Sequence, residues 1–113
     1  MKKAMTRNDA DEQIAAGLET LRLLGEQGCD LARARLVTHS FTGHEDQLEM
    51  LGASLKGTGY TVEPDGERGL TASTLSVIDD GWLRESMAIL CRVADYFSVD
   101  YLGFEALADT TTH

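Results

Sequence analysis

The sequence has few basic residues, and this scarcity narrows the kinds of partner that the protein can have. Lysine and arginine together number 10 against 19 aspartates and glutamates, which gives a net charge of −9. Because nucleic-acid binding depends on lysine and arginine neutralising phosphates, this balance argues against direct contact with DNA or RNA. A basic protein surface is the more natural partner, and a charge that serves only solubility is the alternative.

Cysteine is also scarce, and no apolar run approaches the roughly 20 residues that a membrane span needs. The two cysteines, Cys29 and Cys91, form no CxxC pair, so neither a zinc knuckle nor a redox motif is indicated. Cys91 lies among aliphatic residues, which favours a buried structural thiol over a reactive one. Two lysines near the start have no apolar segment behind them, so we expect a soluble, cytoplasmic protein without a secretory signal.

What the chain does contain is one pattern of extended and helical segments that occurs twice. The first copy predicts a strand over residues 34–41, a helix, and a strand over residues 60–63. The second copy predicts a strand over residues 70–78, a helix over residues 82–97, and a strand over residues 101–107. This doubled strand-helix-strand unit predicts an α+β fold, a ferredoxin-like βαββαβ sandwich.

An additional N-terminal helix is predicted ahead of the doubled unit, over residues 9–27. Asp9 followed by Glu12 has the spacing of a capping box, and Gly28 suits the C-terminal end of the helix. Aliphatic residues at helical spacing form one stripe that should dock this helix: Ile14, Leu18, Leu21 and Leu24. We therefore expect a single domain over residues 9–107, with flexible segments at residues 1–8 and 108–113.

Helix starts and sheet edges can also be predicted from local patterns. Thr42 should be the N-cap of the second helix, with Glu45 completing a capping box. Strands two and four should form the edges of the sheet, and Pro64 blunts only the strand-two edge. The unprotected edge of strand four predicts pairing with a second copy, as a homodimer, or with a partner peptide.

Signatures of catalysis are missing from the sequence. It contains no nucleophile elbow, zinc-protease, phosphate-loop or dinucleotide motif, so we expect no enzyme activity, no cofactor and no metal site. His44 and Asp46 are too close in sequence to share a metal. His39, on one strand face with Val37 and Phe41, is most often a half-buried histidine bonded to a neighbour. The alternative is a base or a recognition group at the sheet surface.

Three residues at the start of the third helix have two interpretations each. Asp79 and Asp80 are explained by capping of the helix, and the alternative is a carboxylate pair for acid–base chemistry. Trp82 is either a lid on the core or an exposed anchor for a partner protein.

Three stretches of the chain carry a resemblance to a known family: Val37-Thr-His39-Ser-Phe41, Gly59-Tyr60-Thr-Val62, and Ala94-Asp-Tyr-Phe97-Ser-Val99-Asp-Tyr101-Leu-Gly103-Phe-Glu105. In this order and at these separations they resemble the family of regulator of ribonuclease E activity B, also called RraB, over residues 10–107. The family ending is usually Tyr-Asp-Gly-Trp-Glu, and this chain has Leu102 and Phe104 at the Asp and Trp positions.

The resemblance implies a ferredoxin-like fold with an extra N-terminal helix, in a non-enzymatic protein that binds ribonuclease E and inhibits it. The implied contact is the C-terminal scaffold of that enzyme, which is commonly arginine-rich and would suit an acidic inhibitor. We expect no direct nucleic-acid contact and no membrane contact. The alternative is a small-ligand-sensing or dimerising domain of this fold without a ribonuclease partner. The residues expected to bind the protein partner are His39, Asp79, Asp80, Trp82, Tyr101 and Glu105.

Overall fold

The structure, a computed structural model, describes residues 8–107 and consists of three helices and one four-stranded antiparallel sheet. The strands lie side by side in the order β2-β3-β1-β4. The predicted α+β class is therefore confirmed, and this strand order is compatible with a ferredoxin-like arrangement. In chain order, the elements are α1 (Ala10–Glu26), β1 (Arg35–Thr42), α2 (Glu45–Gly57), β2 (Thr61–Pro64), β3 (Gly69–Ser76), α3 (Asp80–Tyr96) and β4 (Asp100–Ala106).

Alternation along β1 divides the sheet into two faces, which we call the helix face and the open face. Val37, His39 and Phe41 point to the helix face and are buried. Leu36 and Thr38, which lie between the buried positions, point to the open face. The core therefore fills the space between the helix face and the helices, and its largest fully buried members from α2 and α3 are Leu51, Leu83, Met87 and Leu90.

Helix α1 docks against α3 at a glycine. A Cβ atom on Gly17 would lie 2.3 Å from Cδ1 of Leu83, so any larger residue would force the buried Leu83 side chain to move. Glycine weakens a helix by roughly 1 kcal/mol relative to alanine, and here the close contact offsets that cost. Leu24 of the predicted stripe is buried, whereas Leu18 remains exposed.

Asn8, which the sequence analysis placed in the N-terminal segment, belongs with the folded domain. Its side-chain amide donates to the Val99 carbonyl at 2.9 Å and to the Asp95 carboxylate at 2.8 Å. Its Oδ1 accepts from the Tyr101 amide at 2.7 Å. These bonds tie the start of α1 to α3 and β4. The two segments expected to be flexible are residues 1–8 and 108–113. Except for Asn8, they lie outside the described residues.

Side chains cap all three described helices. The predicted caps at Asp9 and Asp79 are confirmed, since each carboxylate accepts from backbone amides in the first turn. The predicted cap at Thr42 is wrong. Because Thr42 pairs with β3, strand β1 extends to this residue. The Thr42 hydroxyl donates to the Arg68 carbonyl at 2.6 Å. Helix α2 consequently starts later, and His44 caps it through Nδ1.

Within residues 8–107, none of the helices has the length and apolar character that a membrane crossing requires.

Candidate protein-binding surface

His39 lies in the core beneath α3. Its side chain is 1% exposed, its Nδ1 is 2.8 Å from the Tyr101 hydroxyl, and its ring stacks on Trp82 at a centroid distance of 6.2 Å. The expected bond to a neighbouring side chain is confirmed, but His39 is fully buried and not half-buried, because Trp82 of α3 packs over it. Burial lowers the pKa of His39 to about 4, so the side chain is neutral near pH 7. Because the ring is buried, His39 is not placed to act as a base in an open cleft.

Tyr101 and Trp82 belong to the same aromatic cluster. Tyr101 is 4% exposed, and burial raises the pKa of its hydroxyl. Trp82 is half-buried and packs edge-on against Phe104 at a centroid distance of 5.3 Å, which favours its interpretation as a lid on the core. His39 and Tyr101 therefore cannot form the surface of an interface while the domain is folded. Phe104, at the family's tryptophan position, is a packing residue in this cluster.

Asp79 and Asp80 lie exposed at the start of α3. The Asp79 carboxylate accepts from the Trp82 amide at 2.7 Å, and the Asp80 carboxylate forms an ion pair with Arg84 one turn along the helix. An exposed pair of this kind contributes about 0–1 kcal/mol and is easily exchanged for another partner. Capping thus explains Asp79, and both carboxylates remain accessible to a basic partner.

A row of exposed leucines, which was not predicted from the sequence, crosses the open face at the end of the sheet where β3 leads into α3. Leu36 in β1 is 40% exposed and pairs directly with Leu75 in β3, which is 70% exposed. Leu107, 62% exposed, follows β4 and donates its amide hydrogen to the Leu36 carbonyl at 2.9 Å. Side chains directly opposite each other on neighbouring strands lie about 5 Å apart, so these three leucines form a continuous strip.

Acidic residues lie near the leucine row along the chain. Val77, also exposed, comes after β3 and precedes Asp79 and Asp80 at the start of α3. Glu105 faces the open side opposite Thr38, two residues before Leu107 on the same strand face. We call the whole region the apolar–acidic surface; it consists of Leu36, Leu75, Val77, Asp79, Asp80, Glu105 and Leu107.

The outer edge of β4 is not open along its whole length. At Tyr101 the amide donates to Oδ1 of Asn8, and the carbonyl accepts from Nε2 of Gln13 at 3.3 Å. Further along, a bulge leaves Leu102 without a partner on β1, and Gly103 takes a positive φ of 118°. Bulges twist an edge away from new pairing. A second copy that paired along the Tyr101 part of this edge would have to displace both Asn8 and Gln13.

Cys91 is buried in the main core, as expected for a structural thiol. Burial raises the pKa of this thiol to about 11, with the nearby Asp95 carboxylate adding to the shift. No group of three or more histidine, cysteine, aspartate or glutamate side chains is placed to hold a metal ion among residues 8–107.

Comparison with protein-family models and with curated proteins gives no match to this chain. The functional interpretation therefore depends on the apolar–acidic surface and on the three sequence stretches that resemble RraB. Of the residues expected to bind a partner, Asp79, Asp80 and Glu105 are exposed.

Proposed function

We propose that this chain is a non-enzymatic regulator of the RraB type, which acts in the cytoplasm by binding the C-terminal scaffold of ribonuclease E and reducing RNA cleavage. We also propose that its fold is the ferredoxin-like sandwich, with α1 as an addition. Two observations support this assignment of fold. When α1 is set aside, the remaining elements follow the order βαββαβ, and the sheet order is β2-β3-β1-β4.

The apolar–acidic surface is the observation that carries the proposed function. Contiguous apolar side chains on an uncovered sheet face are typical of sites where another protein binds. An apolar centre with a charged rim is also the common anatomy of protein interfaces. In the proposed interface, Leu36, Leu75 and Leu107 supply the centre. The exposed carboxylates of Asp79 and Asp80, at the start of α3, supply the charge of its rim.

The charge of the chain indicates the chemistry of the partner. With a net charge of −9, the protein attracts basic segments over a distance of about one Debye length, roughly 8 Å at physiological salt. The scaffold implied by the resemblance is arginine-rich, and arginine side chains form bidentate bonds with carboxylates. We therefore expect the partner to place apolar side chains on the leucine row and arginines beside Asp79 and Asp80.

Calorimetric titration with the C-terminal scaffold of ribonuclease E from the same cell tests the proposal. We expect binding that weakens between low and physiological salt, because added salt screens the attraction between opposite charges. The variant Asp79→Asn/Asp80→Asn keeps a side chain able to cap α3 and should flatten this salt dependence. The pair Glu12→Gln/Glu85→Gln, exposed on α1 and α3, is the control with the same change in net charge.

The two parts of the proposal fail in different ways. Absence of binding by the unaltered protein at both salt concentrations would contradict ribonuclease E as the partner. Binding with an equal salt dependence in both double variants would retain the partner and contradict the placement of the contact at Asp79 and Asp80.

A further inference from the structure

A groove separate from the apolar–acidic surface lies between α2 and the hairpin that joins β2 to β3. Its volume is about 1020 Å³, at the upper end of the range typical of binding pockets. The floor is apolar and is formed by Leu48 and Gly52 of α2 together with Val62 and Leu70 of the two strands.

Two glycines, Gly52 and Gly69, shape this groove. A Cβ atom on Gly52 would lie 3.2 Å from Cγ1 of Val62, so the missing side chain lets α2 sit close to β2. A Cβ atom on Gly69 would lie 2.3 Å from the Asp65 carbonyl oxygen, in a turn that the Asp65 amide closes on Gly69 at 2.9 Å. The groove is therefore a formed feature of the fold, held by backbone packing on either side.

The rim of the groove is acidic at one end. Glu45 and Glu49 stand one turn apart on α2, Glu67 faces them from the hairpin, and Lys56 is the basic residue at the far end. Within residues 8–107, no ion pair engages these three carboxylates. Side chains with an aliphatic stem and a cationic head, as in arginine and lysine, match an apolar floor beside an acidic rim.

The neighbouring strand indicates the shape of the ligand. β2 is an edge of the sheet, so its outer side offers backbone groups to an added strand along Thr61–Glu63, before Pro64. The stretch of α2 from Glu45 to Lys56 is roughly 17 Å long, which corresponds to about five extended residues. An extended peptide fits this length, and every second side chain would point into the groove.

From these observations, we propose that the groove between α2 and the β2–β3 hairpin binds an extended segment of a partner protein that carries arginine or lysine at alternate positions. The aliphatic stems lie on Leu48 and Val62, and the cationic heads reach Glu45, Glu49 and Glu67. This site does not depend on the proposed function, because it shares no residue with the apolar–acidic surface.

Fluorescence anisotropy with a labelled peptide of alternating arginine and valine tests this site. The double variant Glu45→Gln/Glu49→Gln removes two rim charges without changing side-chain shape, and we expect it to weaken binding roughly tenfold. The control Glu12→Gln/Glu85→Gln changes the net charge equally and should leave the affinity within about twofold. Equal weakening by both double variants, or no weakening by either, would overturn the proposal.

Two variants, each with an added bulky side chain, test the groove itself. Ala53 is an exposed residue of the groove wall, and Ser54 is its exposed neighbour outside the groove. We expect Ala53→Phe to weaken peptide binding at least about tenfold, whereas Ser54→Phe leaves it unchanged. Thermal melting of both variants confirms that each is folded. Unchanged binding in Ala53→Phe, or an equal loss in Leu75→Ser on the open face, would contradict the assignment to this groove.

Discussion

Nδ1 of His39 in β1 lies 2.8 Å from the hydroxyl of Tyr101 in β4, and both side chains are buried. This bond joins β1, an interior strand of the sheet, to the edge strand β4 inside the core. A buried polar group is tolerated there only because its partner is also polar and within hydrogen-bond distance. The pair gives the domain two measurable properties, a dependence of stability on pH and a sensitivity to loss of one hydroxyl.

The stability of the domain should fall in mild acid because of His39. Its folded pKa of about 4 lies below the ordinary value of 6.5, so the unfolded chain binds the proton more readily between these values. The stability that the domain has with a neutral His39 is fully present above pH 6.5 and is lost as the pH falls toward about 4. We expect the free energy of unfolding, measured with urea, to lose about 3 kcal/mol over this window.

Two variants separate His39 from the other titrating groups. His39→Gln should flatten the pH dependence between pH 6.5 and 4. His44→Asn, which keeps a capping side chain at the exposed start of α2, should retain the pH dependence of the original protein. An unchanged slope in His39→Gln would show that carboxylates, and not this histidine, set the acid sensitivity.

Removal of the Tyr101 hydroxyl should destabilise the domain. Tyr101→Phe leaves a ring nitrogen of His39 buried without its partner, and an unsatisfied buried group costs about 1–3 kcal/mol. Urea unfolding at pH 7 measures this loss. Tyr96→Phe removes a hydroxyl from an exposed tyrosine of α3 and should change the stability by less than about 0.5 kcal/mol. Equal stabilities of the two variants would contradict the importance of the buried bond.

Two glycines in α1 should respond to alanine with opposite signs. Gly25→Ala adds a methyl group into open space and should stabilise the domain by up to about 1 kcal/mol through helix propensity. Gly17→Ala drives a methyl group into Leu83, which is fully buried, and should destabilise it by about 1–3 kcal/mol. Thermal unfolding of both variants compares them directly. A gain in Gly17→Ala similar to that in Gly25→Ala would mean that α1 is not held against α3 at this point.

The elements of the fold could be predicted because their signals are local. The repeated pattern of extended and helical segments, the caps at Asp9 and Asp79, and Gly28 after α1 depend only on neighbouring residues. The start of α2 could not be predicted in the same way. Thr42 pairs with Gly69, which is distant in sequence, and this pairing extends β1 beyond the point where the helix signal begins, so that His44 is the cap.

The candidate surface was harder to predict because strand register decides which face each residue occupies. In β3, Thr74 and Ser76 point to the helix face while Leu75 is exposed, as is Val77 just after the strand, the reverse of the order that hydrophobicity favours. In β4, a regular strand would place Tyr101 and Glu105 on one face. The bulge at Leu102 separates them, because it turns Tyr101 into the core with Phe104 and leaves Glu105 on the open face.

Titration of two leucine variants with the ribonuclease E scaffold tests the central claim most directly. Leu75→Ser removes the most exposed member of the leucine row, and Leu102→Ser removes a leucine of similar exposure near the start of β4. Because both positions are exposed, both variants should keep a stability within about 0.5 kcal/mol of the original. We expect Leu75→Ser to weaken scaffold binding at least about tenfold and Leu102→Ser to leave it unchanged. Equal affinities of the two variants would contradict the open face as the binding surface.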